Sequence, residues 1–337
     1  MGHYSIWLEH YHNCRDKILE DLKSYKKGID SLKEIVDKKN LIIPIHRTNT
    51  KKDGIMCFVD GGEGIRELLG AVVYLIKTSG LIIKKTSNRF HDEKFVRDVD
   101  MGILDYDEYT KERVELLRSA MEFDVAIKSI EEYNPEYVFI DGSLHVNSKK
   151  RSIECNEYSI YRKKFNRLLK RCKENGIHII GVSEDSKSKL FANYLSFKYN
   201  IKIPRFMTDS SILRILFGNA KYRTVEFTPC SKTNSSLTVS FTTVYVQPTP
   251  FSNPLRIDVP EWDDEFSNII DLIVELCKGS RHYGYPLPMY LVHLDAKVEK
   301  KQAEWSTKQL IHHLLKEEPS LMDSILNKTR RDSRPLG

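Results

Sequence analysis

Apolar positions recur with two different periods along the chain. Between Ser5 and Lys39, Ile18, Leu22, Tyr25, Ile29, Leu32 and Ile35 fall at helical spacing among lysines and acids, which predicts a long charged helix before the first strand. A helix so polar is expected to pack on a neighbour or partner rather than inside the core. Ile55-Met56-Cys57-Phe58-Val59 is then a short apolar run stopped by Asp60-Gly61-Gly62, the pattern of a buried strand. Leu68 to Lys77 and Leu81 to Thr86 predict two further strands, with Thr78-Ser79-Gly80 as a hairpin turn between them. The three together predict an antiparallel meander.

Asp107 to Tyr133 predicts a helix with one stripe through Leu116, Ala120, Phe123, Ile127 and Ile130, stopped by Asn134-Pro135. Tyr137 to Ile140 is another short apolar strand, and it too ends in acid and glycine, Asp141-Gly142-Ser143. Beyond it the pattern predicts a helix over Tyr158 to Glu174, a buried strand over Ile177 to Val182, and helices over Ser186 to Tyr199 and Ser210 to Phe217. Strands are expected over Leu237 to Val246 and Leu255 to Val259, a helix over Phe266 to Cys277, and one more opening near Pro286. No linker interrupts the series. The expected organisation is a helical extension over 1–50, one α/β domain over 51–327, and a loose basic tail over 328–337.

Composition narrows the class without naming a function. Across the 337 residues 40% are apolar and 30% charged, which excludes a fibrous or wholly disordered chain, and 53 Lys+Arg against 47 Asp+Glu, a net charge of +6, leave nucleic acid as one compatible partner. The longest apolar stretch, Leu69 to Ile76, is too short for a bilayer, and Met1 to His10 hold no signal-peptide core, so a cytoplasmic, intracellular protein without membrane contact is expected. Six scattered cysteines with no CxxC pair read as reduced thiols rather than a zinc site. The chain has no GxxxxGK[ST], so any ATP-driven movement along a polymer would need another protein.

The chemistry lies in the carboxylates. Asp60 and Asp141 each close a buried strand, where α/β sheets place ligands, and each is followed by a glycine that allows close approach; a plain turn or cap is the other reading. Hard divalent cations take such oxygen ligands and share them with phosphates, and a pair of ions can cleave a phosphodiester. Glu122 sits amid the apolar part of its helix, either as a further ligand or paired with Arg118 four residues earlier. His293, in the helix opened by Gly284-Tyr285-Pro286-Leu287-Pro288, is either a core histidine or a metal or proton-transfer group. Lys187 and Lys189, at the entry to a helix, suit phosphates or a plain N-cap. Arg281, Tyr283 and Tyr285 interleave a base with aromatics, as either a stacking surface for unpaired bases or an anchored turn. The bases from Arg162 to Arg171 read as a solvated helix face.

Taken in order, a strand ending Val-Asp60-Gly-Gly, a helix with Met121-Glu122, a strand ending Ile-Asp141-Gly-Ser and a late Gly-Tyr-Pro-Leu-Pro helix with His293 resemble the archaeal NurA nucleases, over nearly the whole chain. The resemblance implies an α/β fold with an RNase H-like mixed sheet flanked by helices. It implies a manganese-dependent deoxyribonuclease, with magnesium as the alternative and two ions expected. The activity implied is 5′→3′ exonuclease on single- and double-stranded DNA and endonuclease on single strands, in end resection for double-strand break repair near the nucleoid. A homodimer working with a HerA-type hexameric translocase is implied as well. Carried over residue by residue, Asp60, Glu122, Asp141 and His293 become the metal and catalytic set, with Glu63, Asp124 and Asp295 as rivals in the same neighbourhoods. The alternatives are a non-catalytic nucleic-acid-binding scaffold and a phosphoesterase for small nucleotides.

Overall fold

The computed structural model describes residues 2–45, 53–86, 89–145, 155–184, 187–201, 203, 207–229, 239–279, 283–317 and 319. In chain order these form α1 (His3–Lys38), β1 (Ile42–Pro44), β2 (Gly54–Glu67), β3 (Ala71–Thr86), β4 (Arg89–Asp105), α2 (Thr110–Tyr133) and β5 (Tyr137–Asp141). There follow α3 (Asn156–Asn175), β6 (His178–Ser183), α4 (Leu190–Tyr199), α5 (Asp209–Phe217), β7 (Tyr222–Thr224), β8 (Phe241–Gln247), β9 (Leu255–Pro260), α6 (Phe266–Leu276), α7 (Leu287–Ala296) and α8 (Lys300–Glu317).

The strands make one mixed sheet in the order β1-β7-β8-β9-β6-β5-β2-β3-β4. β2, β3 and β4 run antiparallel in sequence; β5 joins β2 in parallel and β6 joins β5 in parallel. That subset, β4-β3-β2-β5-β6, is the mixed core of the sheet, and β9, β8, β7 and β1 extend it antiparallel.

The meander is present, but with different boundaries. Thr78-Ser79-Gly80 is no turn: it lies inside β3, and the reversal falls at residues 68–70, where the Leu68 N–H donates to the Ala71 carbonyl at 2.8 Å. Gly80 is small because α2 crosses it; a Cβ there would lie 2.9 Å from Val125 Cγ1. β2 likewise runs straight through Asp60-Gly61-Gly62. The third strand is β4, whose charged, solvent-facing residues hide it from a pattern built on apolar alternation. α4 starts at Leu190 rather than Ser186, because the Asp209 carboxylate caps the Phe191 and Ala192 N–H groups at 3.0 and 2.9 Å.

Two packed layers cover the sheet. On one face Met56, Phe58, Phe139 and Ile257 meet Ile269 and Ile273 of α6 and Met289 and Val292 of α7. On the other, Cys57, Val59, Val138 and Ile140 meet Phe123 and Ile127 of α2 and Phe165 and Leu168 of α3. The one-residue alternation between these sets follows from the two-residue period of a strand. Only the later part of α1 is packed, through Leu32 and Val36 against α4 and α5, while Trp7, Tyr11, Ile18 and Leu22 are exposed. The last helix, α8, was not expected from the pattern; Leu310, Ile311 and Leu314 lay it on Leu68, Ala71 and Val73. Residues 328–337 lie outside the described residues. No helix among the described residues is long and apolar enough to cross a membrane.

Candidate metal centre

Alternation along β2 decides what each residue of Val59-Asp60-Gly61-Gly62 faces. Phe58 points to the α6/α7 layer, so Asp60 and Gly62 do too, and Gly61 points with Val59 toward α2. Parallel pairing of β2 with β5 ends at Val59↔Ile140. The next residue on each strand is therefore an aspartate, on the same face, at the point where the strands part. Asp60 is thus not the end of its strand but the end of its parallel pairing.

α7 supplies the third group. Met289 and Val292 seat it on the sheet, and His293 reaches Asp60, Nδ1 to Oδ2 at 2.8 Å. Its side chain is 52% exposed, so it is a rim residue rather than a core histidine. Asp60, Asp141 and His293 each present one ligand atom, all within 4.8 Å of one another.

Tyr285 anchors the second carboxylate. Its ring is buried and its hydroxyl donates to Asp141 Oδ1 at 2.8 Å. This corrects its assignment as a base-stacking residue: a buried ring committed to a carboxylate offers no face to a base. The Asp141 carboxyl is pushed up to about 7, first by burial and then by the charge of Asp60, with a contribution from Glu184; the Tyr285 hydrogen bond and His293 act in the opposite direction. Burial and Asp141 together hold the Tyr285 phenol well above its ordinary range, so it remains a donor.

Glu122 comes from the opposite layer. It is buried in α2 and lies against Gly61, where a Cβ would stand 2.6 Å from Glu122 Oε1. Arg118 lies beside it, Nε to Glu122 Oε1 at 3.6 Å and to Glu63 Oε2 at 3.1 Å, and Arg118 Nη1 donates to the Gly61 carbonyl at 3.0 Å. Burial works against the Arg118 charge, but Glu122, Glu63 and Asp60 outweigh it and keep the guanidinium protonated. The ion pair expected from the four-residue spacing is present, and it sits directly behind Asp60; Glu122 is not among the three converging groups.

The rivals have other partners. Glu63 is engaged by Arg118, Asp124 by Lys164 at 2.5 Å, and Asp295 by Arg97 at 2.8 Å and the Ser79 hydroxyl at 2.6 Å. The Arg97 hydrogen bond holds the Asp295 carboxyl below the usual carboxylate range. Ser79 stands directly across from Asp60 in the β2–β3 ladder, so adjacent positions grip α7 twice, through His293 and through Asp295.

A model of the NurA domain matches residues 54–299. The chain belongs to the NurA family. It is 23% identical over 314 residues to the DNA double-strand break repair nuclease NurA of Sulfolobus acidocaldarius, covering 86% of this chain and 90% of that protein. The protein of the same name from Sulfurisphaera tokodaii is 26% identical over 276 residues, covering 75% and 80%. The crystal structure of the NurA nuclease from Sulfolobus solfataricus superposes with a TM-score of 0.60 at 18% identity, over 89% of this chain and 98% of that one. A NurA structure bound to dAMP and manganese gives 0.59 at 11% identity, over 90% and 97%. At these identities the structural likeness establishes the shared NurA fold.

Around the NurA cluster, Tyr283 is 52% exposed; its hydroxyl donates to Glu184 Oε2 and its ring meets Tyr285 and Tyr290 edge-on. Lys187 and Lys189 are exposed after β6, at the same sheet edge as Asp141, while the Ser188 hydroxyl between them turns inward to Asp209 and Tyr245. Arg281 lies outside the described residues. On α3, Lys164 bonds Asp124 and Arg167 and Arg171 face Glu131, which accounts for part of that basic face by links to α2. Among the described residues Cys14, Cys57, Cys155, Cys172 and Cys277 are free thiols, and burial pushes Cys57 up to about 12.

The Tyr285 anchor yields a direct expectation. Tyr285→Phe keeps the buried ring and removes one donor from Asp141, so Mn²⁺ affinity is expected to fall about tenfold with little change in melting temperature. Electron paramagnetic resonance of free Mn²⁺ measures this; an unchanged affinity would show that Asp141 needs no such anchor.

Proposed function

We propose that this protein is a divalent-metal-dependent deoxyribonuclease acting in double-strand break repair, with Asp60, Asp141 and His293 holding the metal and Glu122 completing the set from the α2 side. The observation that carries this is the convergence of two carboxylates and an imidazole within 4.8 Å at the end of the β2–β5 pairing, in a chain of the NurA family. The named repair nucleases among its relatives, and the NurA structure that holds manganese and dAMP, support the same reading.

The residues fit the ion. Asp60 and Asp141 are close enough that one raises the other's proton affinity, and a cation removes that conflict. Two hard oxygens with one imidazole suit Mn²⁺, with Mg²⁺ as the alternative. Bound there, a divalent ion supplies Lewis acidity and a water of lowered pKa for attack on the phosphodiester. The 2.8 Å contact of His293 Nδ1 with Asp60 Oδ2 holds the imidazole beside the carboxylate, where both would face the ion. Tyr285 fixes the Asp141 carboxylate, and Arg118 offsets the charge of Glu122 and Glu63. In this reading the exposed Lys187 and Lys189 would contact phosphates and the half-exposed Tyr283 ring would stack on an unpaired base.

The finer reading follows the family resemblance: two ions, 5′→3′ degradation of single- and double-stranded ends, endonuclease action on single strands, a homodimer, and a HerA-type hexameric translocase as partner in end resection. Incubation with end-labelled single-stranded DNA and Mn²⁺, beside a mononucleotide diester, tests the reaction class. Shortening of the polymer is the expected result. DNA binding without cleavage would favour a scaffold, and cleavage of the diester alone a small-nucleotide phosphoesterase.

The Asp141 carboxyl sets a pH dependence. Its value in the fold lies above the ordinary carboxylate range, so the stability it contributes is complete in acid and is lost as pH climbs through about 7. The same climb frees the carboxylate for metal. Half-saturating Mn²⁺ is therefore expected to be about tenfold lower at pH 8 than at pH 6, read by metal titration without DNA. Equal values at both pH values would remove Asp141 from the ligand set.

A further inference from the structure

The turn that carries Asp141 is held from behind by a carboxylate that plays no part in the chemistry above. Asp258 of β9 is fully buried. Its neighbours Ile257 and Val259 face α6 and α7, so its side chain points to the other layer. Oδ2 accepts from the Ser143 hydroxyl at 3.1 Å, the Leu144 N–H at 3.3 Å and Arg256 Nη2 at 2.9 Å. Oδ1 accepts from the Thr243 hydroxyl at 2.8 Å and lies 3.5 Å from His145 Nε2.

The turn has little freedom left. The Gly142 N–H donates to the Val182 carbonyl at 2.9 Å, and Gly142 takes a φ of 106°, in the region that favours glycine. Beneath it lies Gly181, where a Cβ would stand 2.8 Å from Leu144 Cγ and 2.9 Å from the Gly142 carbonyl. Asp141-Gly142-Ser143-Leu144 is thus pressed on β6 and clasped at its far end by Asp258. The polar row continues through Arg256, whose charge is felt by Asp209 and Tyr245, and the Tyr245 hydroxyl donates to Asp209 Oδ2 at 2.6 Å. Asp209 in turn caps the start of α4, just after Lys187 and Lys189.

A buried ion pair is seldom the cheapest way to stabilise a fold, because desolvation offsets much of its attraction. Donors on one carboxylate from Ser143 and Leu144 instead fix the position of consecutive residues beside a ligand. We infer that Asp258 is a positioning residue for Asp141: through Ser143 and Leu144 it sets where the Asp141 carboxylate stands, and so how tightly the metal is held. Hydrogen bonds from Arg256 and Thr243 orient the Asp258 carboxylate itself. The inference rests on the metal site proposed above.

The test reads Mn²⁺ binding by electron paramagnetic resonance, without DNA, together with thermal melting. Asp258→Asn is expected to weaken Mn²⁺ binding about 10- to 100-fold, as losses of groups behind a metal ligand do. Ser143→Ala, at an exposed position, is expected to weaken it about threefold with melting unchanged, and Ser143→Thr, which keeps the hydroxyl, to restore it. A role confined to stability would lower melting and leave affinity alone. Wild-type affinity in the folded variants overturns the inference. Should Asp258→Asn not fold, the Ser143 pair decides. Absence of Mn²⁺ binding by the unaltered protein would instead defeat the metal site itself.

Discussion

Asp60→Ala is expected to leave a folded protein that cleaves DNA about three orders of magnitude more slowly at saturating Mn²⁺, equivalent to about 4 kcal/mol of lost transition-state stabilisation. The size follows from how much converges on this side chain. It bonds His293, it is the largest neighbouring charge on Asp141, and its strand neighbour Gly61 receives Glu122. Removing it also relieves the Asp141 carboxyl, which is expected to ionise at a lower pH. Rates on labelled single-stranded DNA, beside circular dichroism of the same sample, check this. A rate within tenfold of the unaltered protein would mean that Asp60 holds no metal needed for cleavage.

Gly62→Ala is expected to cost about 1–3 kcal/mol of stability and to weaken Mn²⁺ binding at the same time. In most strand positions alanine would be harmless or better than glycine. Here a Cβ would lie 2.5 Å from the Ala296 carbonyl oxygen and 3.1 Å from the Val298 nitrogen, both main-chain atoms at the end of α7. Across the ladder, Lys77 holds the same junction by donating to the Lys297 carbonyl at 3.1 Å. The methyl group must lift α7, and His293 moves with it. Denaturant unfolding and metal titration should shift together. Gly61→Ala is the contrast: its Cβ would meet only side-chain atoms, Glu122 Oε1 at 2.6 Å and Arg118 Cγ at 2.9 Å, so it is expected to press on the Arg118–Glu122 pair and leave α7 in place. A Gly62→Ala protein with unaltered stability and metal affinity would show that α7 is not set by this contact.

Those two glycines also explain where reading from the sequence alone succeeded and failed. Asp60-Gly61-Gly62 and Thr78-Ser79-Gly80 look like turns because glycine and small polar residues usually punctuate strands. Here each glycine clears space for another element: Gly61 for Glu122, Gly62 for the end of α7, Gly80 for Val125. Long-range packing of that kind leaves no local mark. β5 and β6 were legible because each is a short apolar run buried on both faces, with a strong stop at its end. β4 was not, because an edge strand needs charge rather than alternation. In the site, Asp60, Asp141 and His293 were visible as residue types with an unusual setting. For Tyr285 the sequence leaves a stacking ring and an anchored turn equally open, since its burial against Asp141 depends on residues 144 positions apart. Asp258 gave no signal at all: in Leu255-Arg256-Ile257-Asp258-Val259 it is one polar residue of an alternating strand.

The long span between Asp60 and His293 has a consequence in time as well as in space. The two bonded residues are separated by 233 positions, and β2, β3, β4, β5 and β6 can all pair before α7 exists as a docked helix. Contacts of such separation form late, because the loop they close must first be ordered. The proposed nuclease is thus disarmed while it is being made: a chain emerging from the ribosome carries Asp60 and Asp141 long before it carries the histidine that completes the trio. The trio is complete only once α7 docks on the sheet.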